Sequence, residues 1–283
     1  MNWLQFETDG KCSGRCAICP KGLGYVPPRQ KMSWDTIERL VREVVPQVGW
    51  VYPFLYQEPL MEPRLIQILR LIKMVNPRAQ TCISTTMAGM TGDLAAQITR
   101  SGLLDQMTIS FYGPDEETLA RYQPGLNFME TSRAIRGFMA ARNASGTGKP
   151  RVRMHYITTP DLMEKWQEFR SQWTGVVDDI VKVPFDTFCG TITGFPELLC
   201  STAIRAPCYR LTLGMTVLSS GDMVPCCLDF SGMHPLGNIN LESPLAIWNG
   251  PDMQEIRVLH DAGRFNEIPL CRDCSVWRQG DLR

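Results

Sequence analysis

Two hydrophobic periods take turns along the first 185 residues. Short apolar runs that read as strands are "WLQFET" (3–8), "WVYPFLY" (50–56), "AQTCIST" (79–85), "QMTISFYG" (106–113), "RVRMHYIT" (151–158) and "DIVKVPF" (179–185). Pro53 makes the second of these irregular. Helical spacing fills the gaps. In "SWDTIERLVREVV" (33–45), Ile37, Leu40, Val41, Val44 and Val45 share one face behind a Ser cap. Further helices are predicted over 63–75, over 91–102 with Gly102 closing it, over 127–142 and through "DLMEKWQEFRSQW" (161–173). "NASGTGKP" (143–150) is a loop by composition, and its Gly-x-Gly lacks the context of a phosphate loop.

Six βα-like units in a row predict an α/β fold, a partial (β/α)6 barrel or its open equivalent, with right-handed crossovers. In either form ligands sit at the C-terminal ends of the strands. From Asp186 the pattern changes. "RLTLGMTVLSSGDMVPC" (210–226) reads as a hairpin turning at 219–222, followed by a helix over about 244–260 and then Cys271-x2-Cys274. The expected organisation is a barrel over 1–185, a linker over 186–207 and a small C-terminal domain over 208–283.

Composition narrows the function without naming it. Of 283 residues, 44% are hydrophobic and 20% charged, as in an ordinary globular protein. Lys+Arg and Asp+Glu both number 29, which argues against a nucleic-acid partner. No apolar run reaches the ~18 residues of a membrane span, and "MNWLQFETDG" lacks the order of a signal peptide. The expected location is the cytoplasm, without a membrane partner. Eleven cysteines in such a compartment point to metal or redox chemistry before disulfides.

Those cysteines cluster at the two ends of the chain. Cys12, Cys16 and Cys19 follow the first strand directly, as C-x3-C-x2-C. Zinc in a structural site wants a fourth ligand, whereas a cubane iron–sulfur cluster accepts three thiolates and leaves one iron open. Three unrelated thiols are the plainest alternative. The second group is Cys208 and Cys226 flanking the hairpin, with Cys271 and Cys274 beyond it. By spacing alone, a zinc ribbon-like site suits it.

The first group resembles the radical S-adenosylmethionine (SAM) superfamily. In that superfamily three such cysteines hold a 4Fe–4S cluster, and SAM chelates the fourth iron. "YQEPL" (56–60) resembles the family's G-G-E-P segment, which implies that Glu58 takes the SAM amino group. "ISTTMAG" (83–89) resembles the T-N-G segment, with Thr86 where asparagine is common. "TISFYGPDEETLARY" (108–122) resembles the S-I-D-G strand, with Ser110 directed to SAM. Gln57 replaces a glycine, and Ile18 occupies an often aromatic position near adenine. "LGNINLESPLAIWNG" between the later cysteines resembles the "GN…W" segment of SPASM proteins. Only nine residues follow Cys274 and none is cysteine. The resemblance is therefore to the shortened twitch form, with one auxiliary 4Fe–4S cluster on Cys208, Cys226, Cys271 and Cys274.

This resemblance implies a SAM-derived radical that takes hydrogen from a small polar substrate. The auxiliary cluster would act as electron acceptor, as in 2-deoxy-scyllo-inosamine dehydrogenase-type enzymes of natural product biosynthesis. A flavodoxin or ferredoxin would supply electrons. Two alternatives stay open: an epimerase with Cys227 or Cys189 as hydrogen-atom donor, and a ribosomal-peptide maturase. A two-site zinc protein is the non-enzyme reading. Cys82 and Cys200 read as core or surface thiols. Arg153 and His155 share one strand face; they could bind substrate if that face lines the barrel lumen, and otherwise read, as first choice, as a satisfied core pair. His234 and His260 have no helpful sequence neighbours, and fifteen methionines read as core filling.

Overall fold

The computed structural model describes residues 1–196 and 204–278, and one nine-stranded sheet runs through it. Six parallel strands build its larger part: β1 (Trp3–Phe6), β2 (Trp50–Tyr52), β3 (Gln80–Thr85), β4 (Gln106–Ser110), β5 (Arg151–Thr158) and β6 (Asp179–Pro184). The helices between them are α1 (Trp34–Val44), α2 (Leu65–Val75), α3 (Gly92–Ser101), α4 (Glu116–Tyr122), α5 (Phe128–Ala144), α6 (Pro160–Glu164) and α7 (Trp166–Trp173). Parity divides β5. On β5, Val152, Met154 and Tyr156 are buried in the apolar layer shared with the helices, while Arg153 and His155 point the other way.

Local chemistry sets the ends of these elements. Ser33 Oγ accepts the Thr36 N–H at 3.0 Å and starts α1. Gly102, at φ +62°, closes α3 in the left-handed region. Strand β2 stops at Tyr52 rather than residue 56, because Pro53 has no N–H for the ladder. The single helix expected over 161–173 is two, meeting at Lys165. Helix α4 was not separated from the strand-like stretch before it; Asp115 caps it by accepting the Thr118 N–H at 2.7 Å.

The C-terminal part continues the same sheet. After α8 (Arg210–Leu213), β7 (Gly214–Val217) pairs in parallel with β1, Trp3 opposite Gly214 and Phe6 opposite Val217. A Cβ at Gly214 would lie 2.1 Å from the Trp3 ring, so this close approach requires glycine. β8 (Asp222–Val224) returns antiparallel as the hairpin predicts, and β9 (Gly237–Asn238) adds to it. The helix expected over 244–260 is broken into α9 (Pro244–Trp248) and α10 (Pro251–Asp261), where Asn249, Gly250 and the N–H-less Pro251 interrupt it. A short α11 (Pro269–Arg272) carries Cys271.

Two apolar cores cover the outer face. One packs β3–β6 against α3, α5 and α7, around Ile83, Met107, Met154 and Trp173. The other packs β1, β2 and β7 against α1 and α2, around Leu4, Phe6, Val51 and Met215. Each fully buried Leu, Ile or Phe of these cores contributes about 1.5–3 kcal/mol. Among the described residues no helix is long and apolar enough to cross a membrane.

Candidate active site

The first cysteine loop leaves β1 and is tied down by its backbone. Ala17 N–H donates to Tyr122 O at 2.9 Å, Cys19 N–H to Cys16 O at 3.2 Å, and Glu58 N–H to Lys11 O at 2.8 Å. A Cβ at Gly22 would come within 2.4 Å of the Cys16 backbone, so the loop folds on itself only with glycine there. Gln57, the departure from glycine, is buried and useful. Its Oε1 accepts the Thr8 N–H at 2.6 Å and its Nε2 donates to Thr8 Oγ1 at 2.7 Å. Burial raises all three thiols; Cys16 reaches about 12, with Cys19 and Cys12 adding to the rise. Three such thiols suit a cationic iron cluster, whose charge reverses that penalty.

A cavity of about 310 Å³ opens beside these sulfurs and is lined by Ile18, Glu58, Thr86 and Ser110 as well. The structure thus brings together the three cysteines and all four residues that the resemblance assigns to SAM. The Glu58 carboxylate accepts from Thr85 Oγ1 (2.5 Å), Leu60 N–H (3.2 Å), Thr86 N–H (2.9 Å) and Thr86 Oγ1 (2.8 Å). Burial nonetheless raises its pKa against these bonds. Thr86 therefore serves Glu58 directly. Ser110 Oγ lies 3.3 Å from Ser84 Oγ, and Gln123 ties the same strand end by donating to Ser110 O at 2.9 Å.

The second cysteine group also gathers around one cavity, of about 340 Å³, lined by Cys208, Cys226, Cys271 and Cys274. Cys189 joins them. Phe188 and Cys189, at φ +50° and +57°, turn the chain through the left-handed region beyond β6. The neighbouring Cys274 holds the Cys189 thiol up, while Cys189 in turn lowers Cys274. His260, without sequence neighbours to mark it, has Nε2 3.3 Å from Cys271 Sγ and accepts the Cys208 N–H on Nδ1 at 3.3 Å. His234 instead stands 3.6 Å from Asp229. Among the described residues no three His, Cys, Asp or Glu side chains converge on one metal-ion position; each thiol set lines a cavity wall.

Between these two cavities lies the inner face of the barrel, a lumen of about 640 Å³. Arg153 and His155 line it, which corrects the expectation of a satisfied core pair: the Arg153 Nε is buried without a hydrogen-bond partner. Burial, then the neighbouring Arg153 charge, lowers the His155 pKa to about 4. Cys227 lines the lumen, and Arg210 Nη1 donates to its sulfur at 2.7 Å. Cys189 lines the second cavity and not the lumen. Phe54, Val183, Pro184 and Asp186 line both the lumen and the first cavity, while Tyr209, Arg210 and Cys226 line both the lumen and the second. Tyr56 crosses the same gap, its hydroxyl donating to Cys227 O.

Asp186, Arg210 and His260 are the site residues that sequence reasoning missed. Asp186 was findable, since it follows β6 at the C-terminal edge where such barrels place their chemistry. Arg210 and His260 reach the site only through pairing and packing. Cys82 is buried, as read; Cys200 lies outside the described residues.

The radical SAM superfamily model matches residues 8–147, and the iron–sulfur cluster-binding SPASM domain model matches 208–275. The chain carries a radical SAM domain and a SPASM domain, with the 4Fe–4S and SAM cofactors these imply. The solved structure of BtrN in complex with AdoMet and 2-DOIA is similar over 99% of this chain and 96% of that one, at 16% identity and a TM-score of 0.65. SuiB of Streptococcus suis, bound to precursor peptide SuiA, is similar over 90% of this chain and 66% of its own, at 13% identity and TM-score 0.69. Native anSMEcpe with AdoMet and Cp18Cys peptide is similar over 99% and 90%, at 12% identity and TM-score 0.68. At such identities the likeness is one of fold. No curated protein matches in sequence.

Proposed function

We propose that this enzyme dehydrogenates a small polar, sugar- or aminocyclitol-like substrate bound in the lumen. The observation that carries the reading is the shared walls: one cavity of about 640 Å³ adjoins both cysteine-lined cavities. That volume suits a small molecule. In this reading residues 1–185 form the radical SAM barrel and 208–283 the auxiliary part, with 186–207 linking them. Cys12, Cys16 and Cys19 hold the first cluster, and Cys208, Cys226, Cys271 and Cys274 hold one auxiliary cluster. When bound, the first cluster and SAM supply a hydrogen-abstracting radical, and the auxiliary cluster supplies a one-electron acceptor.

The chain's own residues do the rest. Glu58, held by Thr85 and Thr86, fixes the SAM end together with Ser110 and Ile18. Asp186, where lumen and first cavity meet, takes the proton of the substrate hydroxyl that becomes a carbonyl. Trp3, Tyr52 and Phe54 wall the lumen, exclude water and hold the reacting carbon in place. Arg210 sets a positive charge beside the second cysteine group, offsetting the negative charge that builds there when an electron arrives. Lys11 and Lys21 beside the first loop suit an acidic flavodoxin or ferredoxin as donor. A reducing cytoplasm keeps the cysteines as thiols.

The test is anaerobic turnover with SAM and dithionite over a panel of sugars and aminocyclitols in D2O, read by mass spectrometry. A product two hydrogens lighter, formed with equimolar 5′-deoxyadenosine, supports the reading. An isomer carrying solvent deuterium would make the protein an epimerase, with lumen-facing Cys227 as the donor. Modification of a peptide alone would make it a maturase.

A further inference from the structure

We infer that the substrate carries an oxyanion, a carboxylate or a phosphate ester, and that Arg153 binds it at the end of the lumen away from the first cavity. The inference rests on the lumen being the substrate site, as proposed above. Arg153 sits on the inward face of β5, opposite Thr108 of β4 and Asp179 of β6. Its Nε is buried and unpartnered. Its Nη2 forms an ion pair with Asp179 Oδ2 at 3.6 Å, but that carboxylate also takes the Arg151 fork at 2.8 and 3.0 Å, so two guanidiniums share one carboxylate. A guanidinium presenting unused donors to a cavity matches a forked oxyanion better than a hydroxyl or an amine.

The remaining charges sharpen the choice. Lys182 lines the wall, but its Nζ lies 5.4 Å over the Trp166 ring in the outer layer. Arg210 gives Nη1 to Cys227. His155, one inward position from Arg153, stays neutral at pH 7 and offers a hydrogen bond without charge. Among the described residues Asp186 is the one carboxylate lining the lumen, and it lies at the opposite end, toward the first cavity. An ammonium group at the Arg153 end would meet two guanidiniums, Arg151 and Arg153, that share the single carboxylate of Asp179.

Binding of four probes to the anaerobically prepared holoenzyme with SAM, by calorimetry, tests this: glucose 6-phosphate, glucuronate, glucose and glucosamine. One or both anions should bind about tenfold or more tighter than the other two, and whichever binds identifies phosphate or carboxylate. Arg153→Gln should abolish the preference and Arg153→Lys should keep most of it, with iron content reporting an intact fold. If Arg153→Gln loses iron, the wild-type ranking and Arg153→Lys decide. Glucosamine binding as tightly as the anions, a preference that survives Arg153→Gln, or no binding at about 10 mM (the millimolar range is the weak limit of specific affinity) would overturn the inference. Because the readout is binding, a product that is not oxidised would sink the dehydrogenase reading and leave this one standing.

Discussion

His155 shows how much one side chain's surroundings decide. Burial and then Arg153 hold its pKa down to about 4, while an unfolded chain's histidine titrates near the ordinary value of 6.5. As pH falls, the unfolded state takes up this proton first. The contribution is therefore complete above about pH 6.5 and lost on the way down to about 4. Denaturant unfolding should show up to about 2 kcal/mol of stability lost to this residue between pH 7 and 5, and His155→Phe should flatten that slope. The cysteines tell a second story at this scale. If the auxiliary cluster is the electron acceptor, Cys227→Ala and Cys189→Ala keep most dehydrogenation; lost product with retained 5′-deoxyadenosine would identify a hydrogen-atom donor instead. The two thiol groupings were legible in the sequence because their spacing is itself the local geometry. The roles of Arg153 and His155 were only half legible: parity put them on one face, but which face encloses a cavity depends on how strands far apart in sequence curl together.

At the scale of elements, tight turns carry the site. Gly22→Ala drives a methyl into the Cys16 backbone. The expected result is loss of iron from the first site with the second site's iron retained, measured by iron per chain after anaerobic reconstitution. Glu62 is another pin, joining the segment after Glu58 to α2. Burial alone would raise its pKa, but the Arg64 guanidinium and N–H hold it down to about 2. Glu62→Gln should cost about 3 kcal/mol, since it leaves the largely buried Arg64 guanidinium, still bonded to Met32 O, without an opposing charge, and thermal unfolding would register the change. Strand and helix types were readable from period and caps. What period could not give was the breaks at Lys165 and at Asn249–Pro251, where a continuous apolar pattern conceals a change of axis.

At the scale of the molecule, β7 joins the two cysteine regions by pairing with β1, so the C-terminal part is an extension of the barrel sheet. This pairing was not legible in the hairpin itself, because a parallel partner more than two hundred residues away leaves no local signal. The two thiol-lined cavities each share walls with one lumen, and the proposed chemistry depends on both sets being clusters. The most direct test is iron and acid-labile sulfide in the Cys12→Ala, Cys16→Ala, Cys19→Ala triple variant, purified and reconstituted without oxygen beside the parent protein. Two cubane sites predict about eight irons in the parent and about four in the variant. Zinc in place of those remaining irons would make the second group a structural clasp, leaving the dehydrogenase without its electron acceptor.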